Sequence, residues 1–106
     1  MKKEDRINLY KSAEDKWGKT SQVAIAIEKM AELTVALTQQ FFRGRHANAA
    51  VIEEIADVLI VCEQLALMYG EREVQAVIDK KLERLKQRIN TGKPNPEKKK
   101  DFREIE

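Results

Sequence analysis

The sequence predicts an all-α protein, a small bundle of four helices, and three observations lead there. Apolar residues recur at intervals of three and four through most of the chain, the period of one helix face. Charged residues make up 36% and aromatic residues 6% of the 106 positions, a balance that suits solvated helix faces better than a sheet sandwich. Gly and Pro are scarce, 4 and 2, and they fall mostly between the periodic stretches, where helices stop. A chain of this length is one domain of common size.

Residues 3–16 read as a short, mostly polar helix with Ile7, Tyr10 and Ala13 or Glu14 at helical spacing. Trp17-Gly18 closes it, the glycine acting as a C-terminal stop. Thr20 or Ser21 is placed to cap the next helix. From Gln22 to about Phe42, the residues Val23, Ile27, Met30, Leu33 and Leu37 mark one apolar stripe. Phe41-Phe42-Arg43-Gly44-Arg45-His46 then makes a basic turn around a glycine. Asn48 is placed to cap a third helix, about 49–69, which is apolar almost all the way round. Only Glu53, Glu63 and Gln64 are expected to look outward, and a helix of that kind is central and buried. Tyr69-Gly70 ends it. The fourth helix runs from about Glu71 to Asn90, with Val74, Ile78, Leu82, Leu85 and Ile89 close to heptad spacing.

Thr91-Gly92-Lys93-Pro94-Asn95-Pro96 breaks that pattern. The expected organisation is therefore a helical domain over 1–92 and a charged C-terminal tail over 93–106. Among its last ten residues only Phe102 and Ile105 are apolar, so the tail is loose or docks on a neighbour. About 90 ordered residues give a small core, and small cores gain much by association. The third helix is more apolar than two or three neighbours can cover. A homodimer that completes the bundle is expected, a homotetramer is the larger option, and a monomeric four-helix bundle is the plain alternative.

Composition excludes several classes of function. Net charge is +2, from 20 basic and 18 acidic residues, too balanced for nucleic-acid binding. A single cysteine, Cys62, rules out an internal disulfide and a Cys-based zinc site and favours a reducing compartment. Its setting in Ile-Val-Cys-Glu-Gln-Leu is that of a small core residue more than a reactive thiol. Met-Lys-Lys is followed by a charged stretch, unlike a signal peptide, and every apolar run falls short of the ~20 residues of a membrane span. The expectation is a soluble, cytoplasmic protein without a membrane partner.

The chemistry lies in two helical patterns, Ala-Ile-Glu28-Lys29-Met-Ala-Glu32-Leu and Val-Ile-Glu53-Glu54-Ile-Ala-Asp57-Val. Glu28 and Glu32 are four apart and Glu54 and Asp57 three apart, so each pair projects from one helix face. A helical wheel puts Ile25, Val35 and Ala36 within about 60° of Glu32, and Val58, Val61 and Leu65 within roughly 40° of Glu54. These acids sit inside apolar stripes, where a carboxylate is tolerated only if something neutralises it. Four carboxylates from two adjacent helices suit Mg²⁺ or Mn²⁺, which prefer oxygen ligands. The plain alternative makes them ordinary partners of lysines on outward-turned helices.

These words resemble the MazG-like, all-α nucleoside triphosphate pyrophosphatases. That family's signature is Glu-Glu-x-x-Glu on one helix and Glu-x-x-Asp on the next. Here Glu28-Lys29-Met30-Ala31-Glu32 is similar to the first and Glu54-Ile55-Ala56-Asp57 to the second, with 21 residues between Glu32 and Glu54. Trp17-Gly18 with Gln22, Ile52-Glu53-Glu54-Ile55-Ala56-Asp57-Val58 and the basic run Lys81 to Arg88 extend the likeness over about residues 14–90. The resemblance implies a Mg²⁺- or Mn²⁺-dependent pyrophosphohydrolase that cleaves a nucleoside triphosphate to the monophosphate and pyrophosphate. It implies Glu32, Glu54 and Asp57 as catalytic and metal-holding residues, with Glu28 helping to hold the metal. Lys81, Arg84 and Arg88 would meet the phosphates and Trp17 the base; Arg43, Arg45 and His46 in the turn are further candidates for phosphate. One position departs from the pattern. Lys29 stands where the family has a glutamate ligand, and an ammonium repels a cation. The competing class is a non-catalytic helical interaction module whose acids and Lys29 form an ionic network.

Overall fold

The computed structural model describes residues 1–92. The expected tail over 93–106 lies outside the described residues. Four helices follow one another: α1 (Lys3–Trp17), α2 (Lys19–Phe42), α3 (Asn48–Tyr69) and α4 (Glu71–Thr91). No strand occurs among the described residues, so the fold is all-α. None of these helices is long and apolar enough to cross a membrane. The chain divides into two compact units, Met1–Tyr69 and Gly70–Glu106.

In the first unit α2 packs on α3, and α1 lies against α2. The α2–α3 seam is built from small residues and one amide pair. Ala26 and Ala36 on α2 and Val61 on α3 are buried, and alanines let the two backbones approach closely. Gln22 and Gln64 are buried beside them, with the Gln64 Nε2 donating to Gln22 Oε1 at 2.9 Å. Gln64 therefore faces inward, contrary to the outward expectation. Its neighbour Glu63 is also half-buried, and it accepts from Arg6 Nε at 2.7 Å, Arg6 Nη2 at 3.1 Å and the Tyr10 hydroxyl at 2.8 Å. That clamp ties α1 to α3. It has to, because α1 buries none of its own residues, and a lone 15-residue helix is marginal in water.

The turns follow glycine. Gly18 has φ 90°, a region other residues avoid, so α1 stops with the Gly18 N–H on the Glu14 carbonyl at 2.7 Å. α2 begins at the next residue, with Gly18 in the capping position and no side-chain cap. Neither Thr20 nor Ser21 is needed there. Between α2 and α3 the Arg45 N–H donates to the Gln39 carbonyl at 3.1 Å and the Ala47 N–H to Gln40 Oε1 at 2.8 Å. Asn48 is already helical, and the Val51 N–H reaches back to the Ala47 carbonyl at 2.9 Å.

α3 is less enclosed than its composition predicts. One side carries Val61 and Gln64 against α2, whereas Ile52 is 69% exposed and Leu59 66%. Ile52, Ile55, Leu59 and Cys62 follow one another at heptad intervals and are all exposed. α2 carries a comparable exposed line, Ile27, Met30, Leu37 and Phe41. Cys62 thus stands on a bare seam, not in a core. The second unit contains α4, whose described residues include none that is buried. Its apolar residues Val74, Ile78, Leu82, Leu85 and Ile89 form one stripe along an otherwise charged helix, and Gly92, in the left-handed region, ends it.

Candidate metal centre

Packing α2 on α3 brings acids from both helices to one place. Glu32, Glu54 and Asp57 each offer a carboxylate oxygen, and these oxygens lie within 4.8 Å of one another. All three side chains are half-buried. The i,i+3 spacing of Glu54 and Asp57 turns both toward α2, and Ala36, one turn on from Glu32, keeps the helices close enough for Glu32 to meet them. Glu28, also expected among the ligands, is exposed. It stands at the edge of the same groove, outside the convergent trio.

Lys29 is the fourth charged member. Its Nζ lies 3.5 Å from Glu32 Oε2 and 3.7 Å from Asp57 Oδ2. These are long ion pairs, beyond the 2.7–2.9 Å of a direct charge-assisted hydrogen bond. The negative charge of Glu32, then that of Asp57, raises the Lys29 ammonium above its ordinary pKa, so Lys29 is charged at neutral pH. Glu54 is not satisfied in this way. Its Oε2 is buried and has no hydrogen-bond partner. Desolvation first, then the charge of Glu32 and a side-chain hydrogen bond with it, then the charge of Asp57, hold its carboxyl above the usual glutamate value, while Lys29 pulls weakly the other way. A partnerless buried carboxylate oxygen beside two further carboxylates is a donor set that fits a small hard cation.

A groove adjoins the trio. Ala31, Val35, Ala36, Ala47 and Ala50 form its apolar wall, with Glu28, Glu32 and Glu54 at the acidic end and Gln39 in the lining. Gln39 Oε1 is buried without a partner. Sequence reasoning overlooked this residue, although it lies seven positions after Glu32 and so on the same helix face.

The remaining sequence candidates belong to other elements. Trp17 is 60% exposed at the α1–α2 turn, with Lys16 Nζ 5.3 Å from its ring centroid. Arg43, Arg45 and His46 are exposed in the α2–α3 turn. On α4, Lys81 and Arg84 border one surface hollow with Val77 and Lys80. Arg84 and Arg88 border a second with Gln87 and Thr91. The fold and the trio together define a helical protein with a carboxylate-rich centre between two antiparallel helices. Comparison with family models, curated proteins and solved structures gives no match, so the likeness to the MazG-like enzymes rests on the motifs of the chain itself.

Proposed function

We propose that the protein is a divalent-metal-dependent nucleoside triphosphate pyrophosphohydrolase, cleaving (d)NTP to (d)NMP and pyrophosphate. One observation carries this reading: Glu32, Glu54 and Asp57 converge within 4.8 Å from two helices, and the buried Glu54 Oε2 lacks any partner. Glu32, Glu54 and Asp57 would hold Mg²⁺ or Mn²⁺, with Glu28 reaching in from the groove edge. A bound ion supplies charge neutralisation on the polyphosphate and polarises water. The chain does the rest. A carboxylate of the trio takes the proton of the attacking water. The water oxygen bonds to the α-phosphorus as the bond to the pyrophosphate oxygen breaks. The same reading gives the phosphates to Lys81, Arg84 and Arg88 and the base to Trp17, assignments that rest on the sequence.

The assembly in this proposal is a homodimer, with a homotetramer as the larger form. The exposed heptad lines of α2 and α3 support it, since apolar seams of that length favour a partner helix over water. A second reading has its own observation. Lys29 already lies between Glu32 and Asp57, as it would in a non-catalytic helical interaction module that needs no ion. Pyrophosphate release separates the two. Standard and modified nucleoside triphosphates are incubated with the protein and Mg²⁺ or Mn²⁺, with Glu54→Gln as the control. Release lost in the variant supports the hydrolase, and no release from any nucleotide at high protein concentration supports the module.

A further inference from the structure

The charges in the acid cluster do not balance as four carboxylates would. Three carboxylates and one ammonium leave a net −2, which a single divalent ion neutralises and a second would overshoot. Lys29 reaches two of the three acids, Glu32 at 3.5 Å and Asp57 at 3.7 Å. It leaves the third, Glu54, with a buried oxygen unpartnered. The ammonium therefore pairs with two of the acids and leaves the Glu54 oxygen as the donor without a partner. We infer that Lys29 is a resident cation of this cluster, filling the place of one divalent ion and restricting the centre to a single one, held by Glu54 together with the acids that Lys29 shares.

This inference rests on the proposed metal-dependent reading, but it concerns how many ions bind and how tightly. With Nζ 3.5 Å from Glu32 Oε2, and a metal–oxygen bond of ~2.1 Å, an ion held by that oxygen lies no more than about 5.6 Å from the ammonium. At that separation, even with the dielectric constant of water, the repulsion between a divalent ion and the ammonium lowers affinity about tenfold at low ionic strength. One cation is spread over two acids, and neither takes it as its own partner.

The test is Mn²⁺ binding to the full-length chain, followed by calorimetry and by the spin-resonance signal of free Mn²⁺. The wild type should bind one ion per chain. Lys29→Met should bind one ion about tenfold more tightly at low salt, with Lys29→Gln as a second variant should the first fold poorly. Lys29→Glu should bind two. Lys29→Arg, which keeps the charge, should match the wild type. The inference is overturned if the wild type takes two ions lost together in Glu54→Gln, or if Lys29→Met and Lys29→Gln bind Mn²⁺ no more tightly than the wild type. Absence of binding in the wild type and every Lys29 variant overturns the metal-dependent reading itself.

Discussion

Replacing Glu63 by glutamine should release α1 from the rest of its unit, and the size of the effect follows from the clamp. Glu63 accepts three hydrogen bonds, from Arg6 Nε and Nη2 and from the Tyr10 hydroxyl. In Glu63→Gln one oxygen remains for Tyr10, but an NH₂ group faces the guanidinium and the ion pair is lost. A hydrogen bond to a charged group contributes ~1.5–3 kcal/mol. The Glu63 side chain is 32% exposed, so solvent screening reduces that figure, and a net loss of ~1–2 kcal/mol is expected. For a domain of this size such a loss lowers Tm by about 5–10 °C. The pH dependence gives the sign. The Arg6 hydrogen bond first, then that from Tyr10, holds the Glu63 carboxyl below its ordinary value. The stabilisation is therefore complete above the unfolded-state value and disappears as pH falls through the lower folded-state one. Melting curves of wild type and variant from pH 7 to pH 3, with hydrogen exchange of the α1 amides at pH 7, read both effects. Equal Tm at pH 7, or a deficit that stays constant into acid, would refute the clamp as the tie that holds α1.

Other predictions concern the interior, the acids and the seam. Gln64→Leu leaves the buried Gln22 without its partner and should cost ~1–3 kcal/mol, whereas Gln22→Leu with Gln64→Leu should recover most of that loss; urea melts of the single and double variants check it. Glu54→Gln should raise the metal-free Tm at pH 7. Its carboxyl is raised in the folded state, so the folded form is penalised progressively as pH climbs through that value, and the gain should fade toward pH 4. Leu59→Glu places a charge on the bare α3 seam, where Leu59 is 66% exposed. Sedimentation should show the proposed homodimer in the wild type and single chains in the variant, with the helical circular dichroism retained.

The helices were legible because their punctuation is chemical. Gly18, Gly70 and Gly92 carry positive φ at the breaks, and helix ends fell within a few residues of their sequence positions. The acids were legible for a related reason: i,i+3 and i,i+4 spacing fixes which side chains share a face before any partner helix is known. What the helices bury was harder to read. Gln64 looked polar and therefore outward, yet a buried glutamine opposite can satisfy it, and a single strand of sequence does not reveal that partner. The apolar surround of α3 suggested enclosure, but the small residues that bring α2 close occupy only one side of it, and Ile52 and Leu59 are left bare. The Arg6–Glu63–Tyr10 clamp joins residues more than fifty positions apart, beyond the reach of local periodicity. At the cluster, Lys29 was visible as a departure from the family word. Its two-sided contact with Glu32 and Asp57 required both helices.

The most direct test of the central claim is thermal melting during a Mn²⁺ titration of the wild type and Glu54→Gln. A ligand bound only by the folded state, at ten times its Kd, stabilises by about 1.4 kcal/mol, which raises Tm by roughly 5–10 °C for a chain of this size. The account predicts a rise of that order in the wild type and none in Glu54→Gln. A wild type indifferent to millimolar Mn²⁺ and Mg²⁺, or a variant that shifts as far as the wild type, would contradict it.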